Sequence, residues 1–129
     1  MRFGFVPPPV PKHIWDEVEI VLEEAAERGS VDLSDLRRDV FSGHAQLWVA
    51  RSERLRSACI TCIQDGDCTI WLMGGDIADL QWLPIIEEAA RQRGCKRMWL
   101  RGRIGWARIL KDYSVVSVSG KEAVLEKWL

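Results

Sequence analysis

The chain has 129 residues, 47% of them hydrophobic and 29% charged, with a formal net charge of −1. That length points to one domain with one core, and that apolar fraction excludes wholesale disorder. No apolar run approaches the roughly 20 residues that span a bilayer, and the charge excludes a whole-molecule polycation or polyanion.

Residues 1–11 are proline-rich (Pro7, Pro8, Pro9, Pro11) and stand apart from a single domain expected over 12–129. They admit a short first strand over Arg2–Val6, then an extended segment. One basic residue followed by prolines does not make a secretory leader, so a cytoplasmic, non-membrane protein is expected. From Lys12 to Arg28 the apolar positions Ile14, Trp15, Val18, Val21, Leu22, Ala25 and Ala26 recur at helical spacing, with Gly29 as the stop. A shorter helix fits Ser34 to Phe41, capped by Asp32 or Ser34 and ended by Gly43.

The pattern then changes to strands over Ala45–Arg51, Arg54–Ile63 and Asp67–Met73. Asp65-Gly66 is a hairpin turn signal, so these three form an antiparallel meander. Gly74-Gly75 is expected to break the third strand. A helix over Leu80–Arg93 follows, with Pro84 near its first turn and Gly94 closing it. Lys96–Leu100 is a strand, Gly102–Trp106 a turn into a short helix through Leu110, and Tyr113–Ser119 and Ala123–Trp128 are final strands. A helical crossover between two strands allows them to be parallel neighbours. The expected fold is therefore mixed α/β: a mostly antiparallel sheet with helices on both faces.

Cys59 and Cys62 have knuckle-like spacing, but residues three apart in a strand face opposite ways, and Cys68 and Cys95 complete no second pair. Buried free thiols and no metal are expected. Every charged residue from Arg91 to Lys111 is basic, whereas Asp16 to Asp39 is mostly acidic. The basic run reads either as a solvated face or as a surface for phosphate, nucleic acid or an acidic partner, with nucleic acid not favoured. The seven tryptophans exceed what a small core can hold; Trp15, Trp71, Trp99 and Trp106 are assigned to it, and Trp128 to docking on another chain.

The element order, with Gly74-Gly75, Trp82-Leu83-Pro84, Gly102-Arg103-Ile104-Gly105-Trp106, Leu110–Tyr113 and Leu125-Glu126-Lys127, resembles the GNAT acetyltransferase superfamily. It resembles most the small GNAT-like proteins of tailed phages and prophages. The resemblance implies a coenzyme A pyrophosphate loop leading into the third helix, where backbone N–H groups hold the phosphates. The corresponding stretch, Met73 to Gln81, keeps Gly74 and Gly75 but carries Asp76 and Asp79, which suit a helix cap and oppose an anion. It also implies a tyrosine acid in the fourth helix; Tyr113, the only tyrosine, falls after that helix and is the one weak catalytic candidate. His13 and His44 lie near element ends with no carboxylate to orient them. Arg103, flanked by Gly102 and Gly105, either receives an anion or serves a tight turn.

The leading expectation is a GNAT-fold interaction module without turnover and without cofactor, virion-associated or acting in assembly. Its partners would be phage structural proteins or further copies of itself, met through Trp128, Arg101, Arg103 and Arg108, and its location the host cytoplasm or the virion. The alternative is an N-acetyltransferase that uses acetyl-CoA at Gly74, Gly75 and Arg103, with an open V-shaped cleft between Asp67–Met73 and Lys96–Leu100.

Overall fold

The computed structural model describes residues 2–76 and 82–129. In chain order these form β1 (Arg2–Val6), α1 (Lys12–Gly29), α2 (Leu33–Phe41), β2 (Gln46–Arg51), β3 (Leu55–Gln64) and β4 (Asp67–Gly75). Then come α3 (Leu83–Gln92), β5 (Arg97–Arg103), α4 (Trp106–Ile109), β6 (Ser114–Ser119) and β7 (Glu122–Trp128). The strands make one sheet ordered β1-β2-β3-β4-β5-β7-β6. Every neighbouring pair is antiparallel except β4 and β5, the two joined by the helical crossover.

Local chemistry accounts for the elements. Trp15, Val18, Leu22 and Ala26 bury one stripe of α1. The helix runs through Gly29, the expected stop. Ser30 takes the left-handed conformation at φ 53° instead, its N–H reaching the carbonyls of Ala26 and Glu27. Asp32 caps α2 by accepting from the Ser34 N–H at 2.8 Å. Asp65 and Gly66, at φ 54° and 81°, make the two-residue turn that closes β3 onto β4. Pro84 lies in the first turn of α3, where its missing N–H costs nothing. The expected start of that helix, Leu80, lies outside the described residues.

Gly74 and Gly75 do not break β4; they continue it, opposite Ala58 and Ser57 of β3. The reason is α1. A Cβ on Gly74 would sit 3.1 Å from Leu22 Cδ2 and 3.2 Å from Ala25 Cβ. One on Gly75, at φ 91°, would run into the Arg56 carbonyl oxygen and lie 2.7 Å from both Ser57 Cα and Val21 Cγ1. The glycines allow the helix to lie against the strand.

The sheet divides the core in two. On one face α1 and α2 bury Leu47, Ala58, Ile60 and Leu72 with their own apolar stripes. On the other, α3 and the segment around α4 cover Cys59, Cys68, Ile70, Met73, Met98, Leu100 and Leu125. Of the tryptophans assigned to the core, Trp15 is buried and Trp71 and Trp106 are half-buried and packed against it, whereas Trp99 is half-buried outside both clusters; Trp48 and Trp82 are buried as well, and Trp128 is 66% exposed. Trp99 lies on the face of β5 opposite Met98 and Leu100, and α1 lies over β3 and β4 instead. Among the described residues no helix is long and apolar enough to cross a membrane.

Candidate functional site

β4 and β5 pair only at Asp67–Arg97, Cys68–Met98 and Thr69–Trp99. Beyond that point β4 continues to Gly75 beside β3, and β5 to Arg103 beside β7, without bonding each other. The ladder between the two parallel strands thus ends after three pairs, at the place where the acetyltransferase reading expects a V-shaped cleft. A local cause is visible. The β3–β4 register slips by one residue, Ile60 facing Leu72 and Thr61 facing Ile70, so Trp71 is an extra residue in β4. Such a bulge bends its strand and increases the twist. It falls where the pairing with β5 ends. The backbone groups of Ile70–Gly75 on the β5 side thus have no partner in β5.

The closed end is fastened on both faces. On one, the Arg97 guanidinium reaches Asp67 at 2.7 and 3.1 Å and Glu126 at 3.0 Å, with its carbon 5.9 Å from the Trp99 ring centre and 5.7 Å from that of Trp128. Those hydrogen bonds to Asp67 and Glu126 raise its pKa further. On the other face Glu87, buried in α3, accepts from the Tyr113 hydroxyl at 2.8 Å and from Lys127 Nζ at 3.0 Å. Burial first, and then the Glu87 carboxylate, push the Tyr113 phenol well above its ordinary range.

The residues singled out from sequence are therefore not gathered at one point. Gly74 and Gly75 lie on the stretch of β4 that has no β5 partner, packed against α1 and, at Gly75, against β3. The Asp76 N–H is already donated to the Arg56 carbonyl at 2.9 Å, and Asp79 lies outside the described residues. Tyr113 is 7% exposed, with its proton committed to Glu87. Arg101, Arg103 and Trp128 share one sheet face. Arg101 and Arg103 alternate with the core residues of β5, Trp128 stands opposite Arg97, and Arg101 and Arg103 are exposed without an ion pair among the described residues. Arg108 sits apart, on α4. A Cβ on Gly102 would lie 3.1 Å from Trp106 Cδ1, so that glycine seats the indole.

Sequence reasoning missed Arg97 and Glu87. Glu87 carried a signal: it shares the 83–86–87–90 stripe that α3 buries. All four cysteines are free and buried. Burial, then the neighbouring Cys95 thiol, push Cys68 up to about 12, which makes it inert as a nucleophile. His44 is exposed, 4.0 Å from Cys62 Sγ, with its ring 6.2 Å from that of Trp71. Among the described residues no group of His, Cys, Asp and Glu is placed to hold a metal ion. A separate groove of about 450 Å³ lies between the C-terminal half of α3 and β1–β3, lined by Phe5, Trp48, Ile63 and Ala89 with Gln46 and Arg93 at its rim.

No protein-family model matches the chain, and no curated protein matches it in sequence. Solved structures do match in shape. An aminoglycoside 6′-acetyltransferase type Ii superposes with a TM-score of 0.79 at 10% identity, covering 99% of this chain and 97% of that one. The PaiA N-acetyltransferase of Thermoplasma acidophilum, solved with coenzyme A, gives 0.69 at 12% identity over 100% of both chains. A GNAT family acetyltransferase of Elizabethkingia anophelis with acetyl-CoA bound gives 0.67 at 10% identity, over 99% and 97%. At such identities the likeness establishes architecture: the chain has the GNAT acetyltransferase fold.

Proposed function

We propose that this protein binds an acyl-coenzyme A in the slot between β4 and β5 and transfers the acyl group to an amine. The observation that carries the reading is the parting of the two strands after Thr69 and Trp99. Coenzyme A has an extended arm with two amides, which can pair with the free strand edge of Ile70–Gly75 as another strand would. Two of the similar structures are described as holding coenzyme A or acetyl-CoA, which supports the same choice of ligand. The described residues fit the arm of that ligand. For its pyrophosphate they offer less, since the Asp76 N–H is taken. Attack of a neutral amine on a thioester needs little side-chain chemistry. Rate comes from holding the thioester in place and from amide donors aimed at the developing oxyanion. Tyr113, bonded to Glu87, is assigned no part in it.

A second reading keeps the fold and drops the turnover, making the chain an interaction module. It is favoured by the buried Tyr113 proton and the acidic Asp76. A role in phage assembly rests on sequence resemblance alone. Calorimetric titration with acetyl-CoA tests both readings. Saturable binding at one site per chain, with release of free thiol when polyamines or amino acids are added, is expected. Absence of any heat with acetyl-, propionyl- and free coenzyme A removes the transferase; binding without thiol release leaves the module.

A further inference from the structure

We propose that the β6 edge of the sheet is a self-complementary surface through which two copies of this chain pair about a twofold axis into one continuous sheet. β6 is an outermost strand, and all six of its residues, Ser114–Ser119, are exposed. It carries no charge and no proline, the usual guards of an open edge. The opposite edge has both: β1 begins at Arg2 and runs into Pro7, Pro8 and Pro9.

The pairing of β6 with β7 shows where its side chains go. Val115 stands opposite Leu125 and Val118 opposite Ala123, and both partners are buried core residues. Ser114, Ser117 and Ser119 stand opposite Glu126, Val124 and Glu122, on the other face. The core therefore runs out to this edge and ends on two valines that are 49% and 54% exposed. Between them the register slips at Val116, which is 54% exposed and joins Ser117 across from Val124.

That slip makes the strand read alike in both directions. Antiparallel to a second copy, Ser114 meets Ser119, Val115 meets Val118, and Val116 meets Ser117. Each residue then faces one on its own side of the sheet. A bulge ordinarily discourages strand addition. Here it falls on the twofold axis and is met by the bulge of the other copy. The pairing between copies ends at Ser119, where the chain turns back through Gly120 and Lys121 into β7.

Sedimentation equilibrium of the full chain tests this. A mass twice the 14.8 kDa of one chain, falling towards it on dilution, is expected. Val118→Lys, on an exposed position, is expected to give the single-chain mass with an unchanged circular dichroism spectrum. A wild-type chain that sediments as a monomer throughout, as it would if this edge served a different protein, overturns the proposal. So does a dimer indifferent to Val118→Lys.

Discussion

At its N-terminal end β4 lies hydrogen-bonded between β3 and β5, and at its C-terminal end it keeps only β3 and the underside of α1. The first end is fastened by charge. Arg97 bridges Asp67 and Glu126 on one face, and Glu87 gathers Tyr113 and Lys127 on the other. The second end is held by close approach, through two residues with no side chain and one backbone bond from Asp76 to Arg56. The difference separates two tasks. Directional polar contacts fix where the strands join, and a glycine seam holds the strand where its other side has no β5 partner. Changes at the two ends should therefore have different signatures.

The largest effect is expected at the seam. Gly75→Ala places a Cβ against the Arg56 carbonyl at a positive φ, and should cost at least about 3 kcal/mol in urea unfolding. It should also abolish acyl-CoA binding, because the strand end must move. A variant that loses less than about 1 kcal/mol would show that α1 does not hold this end. At the closed end, Glu87→Ala strands the Tyr113 hydroxyl and the Lys127 ammonium and should cost about 2 kcal/mol, reduced because Lys127 can reach water. Acetyl-CoA affinity should stay within about twofold of the wild type. Arg97→Met comes next, at about 1 kcal/mol, since the guanidinium is 31% exposed and partly screened. If either closed-end variant weakens ligand binding more than stability, the two ends are not independent.

How much of this was legible in the sequence depended on the range of the cause. The α1 stripe, the Asp65-Gly66 turn and the order of elements along the chain are set by residues near one another, and they were read correctly. Gly74-Gly75 was read as a break because a glycine pair says nothing of the helix that crosses it. The Glu87 contacts join residues 26 and 40 positions apart, and the Arg97 contacts 30 and 29. No local pattern announces such pairs, although a carboxylate on the buried stripe of α3 invited the question. The place where β4 leaves β5 is set by a bulge, and bulges have no reliable composition. The family resemblance supplied a cleft there as an expectation; the register shows that the β4–β5 pairing ends there after three residues.

The smallest effect at neutral pH separates structure from chemistry most sharply. Tyr113→Phe removes one donor from Glu87 and should cost about 1 kcal/mol. Its main consequence appears in alkali. Because burial and Glu87 raise the phenol in the folded chain, Tyr113 favours folding fully below the ordinary tyrosine value of about 10. Above that the unfolded chain releases the proton while the folded chain keeps it, so stability falls as pH rises. The buried thiols act in the same sense from their ordinary value of 9.0 upward, with Cys68 held up to about 12. Urea midpoints should therefore fall above pH 9 in the wild type. In Tyr113→Phe the thiol part of that slope should remain, and only the added steepness above about pH 10 should disappear. The same variant should transfer acetyl groups within about twofold of the wild-type rate, because its proton is already bound to Glu87. A variant that binds acetyl-CoA normally yet turns over a hundredfold more slowly would make Tyr113 the acid for the departing thiolate. Glu87 would then have to release it when the slot fills, and the closed end would no longer be merely structural.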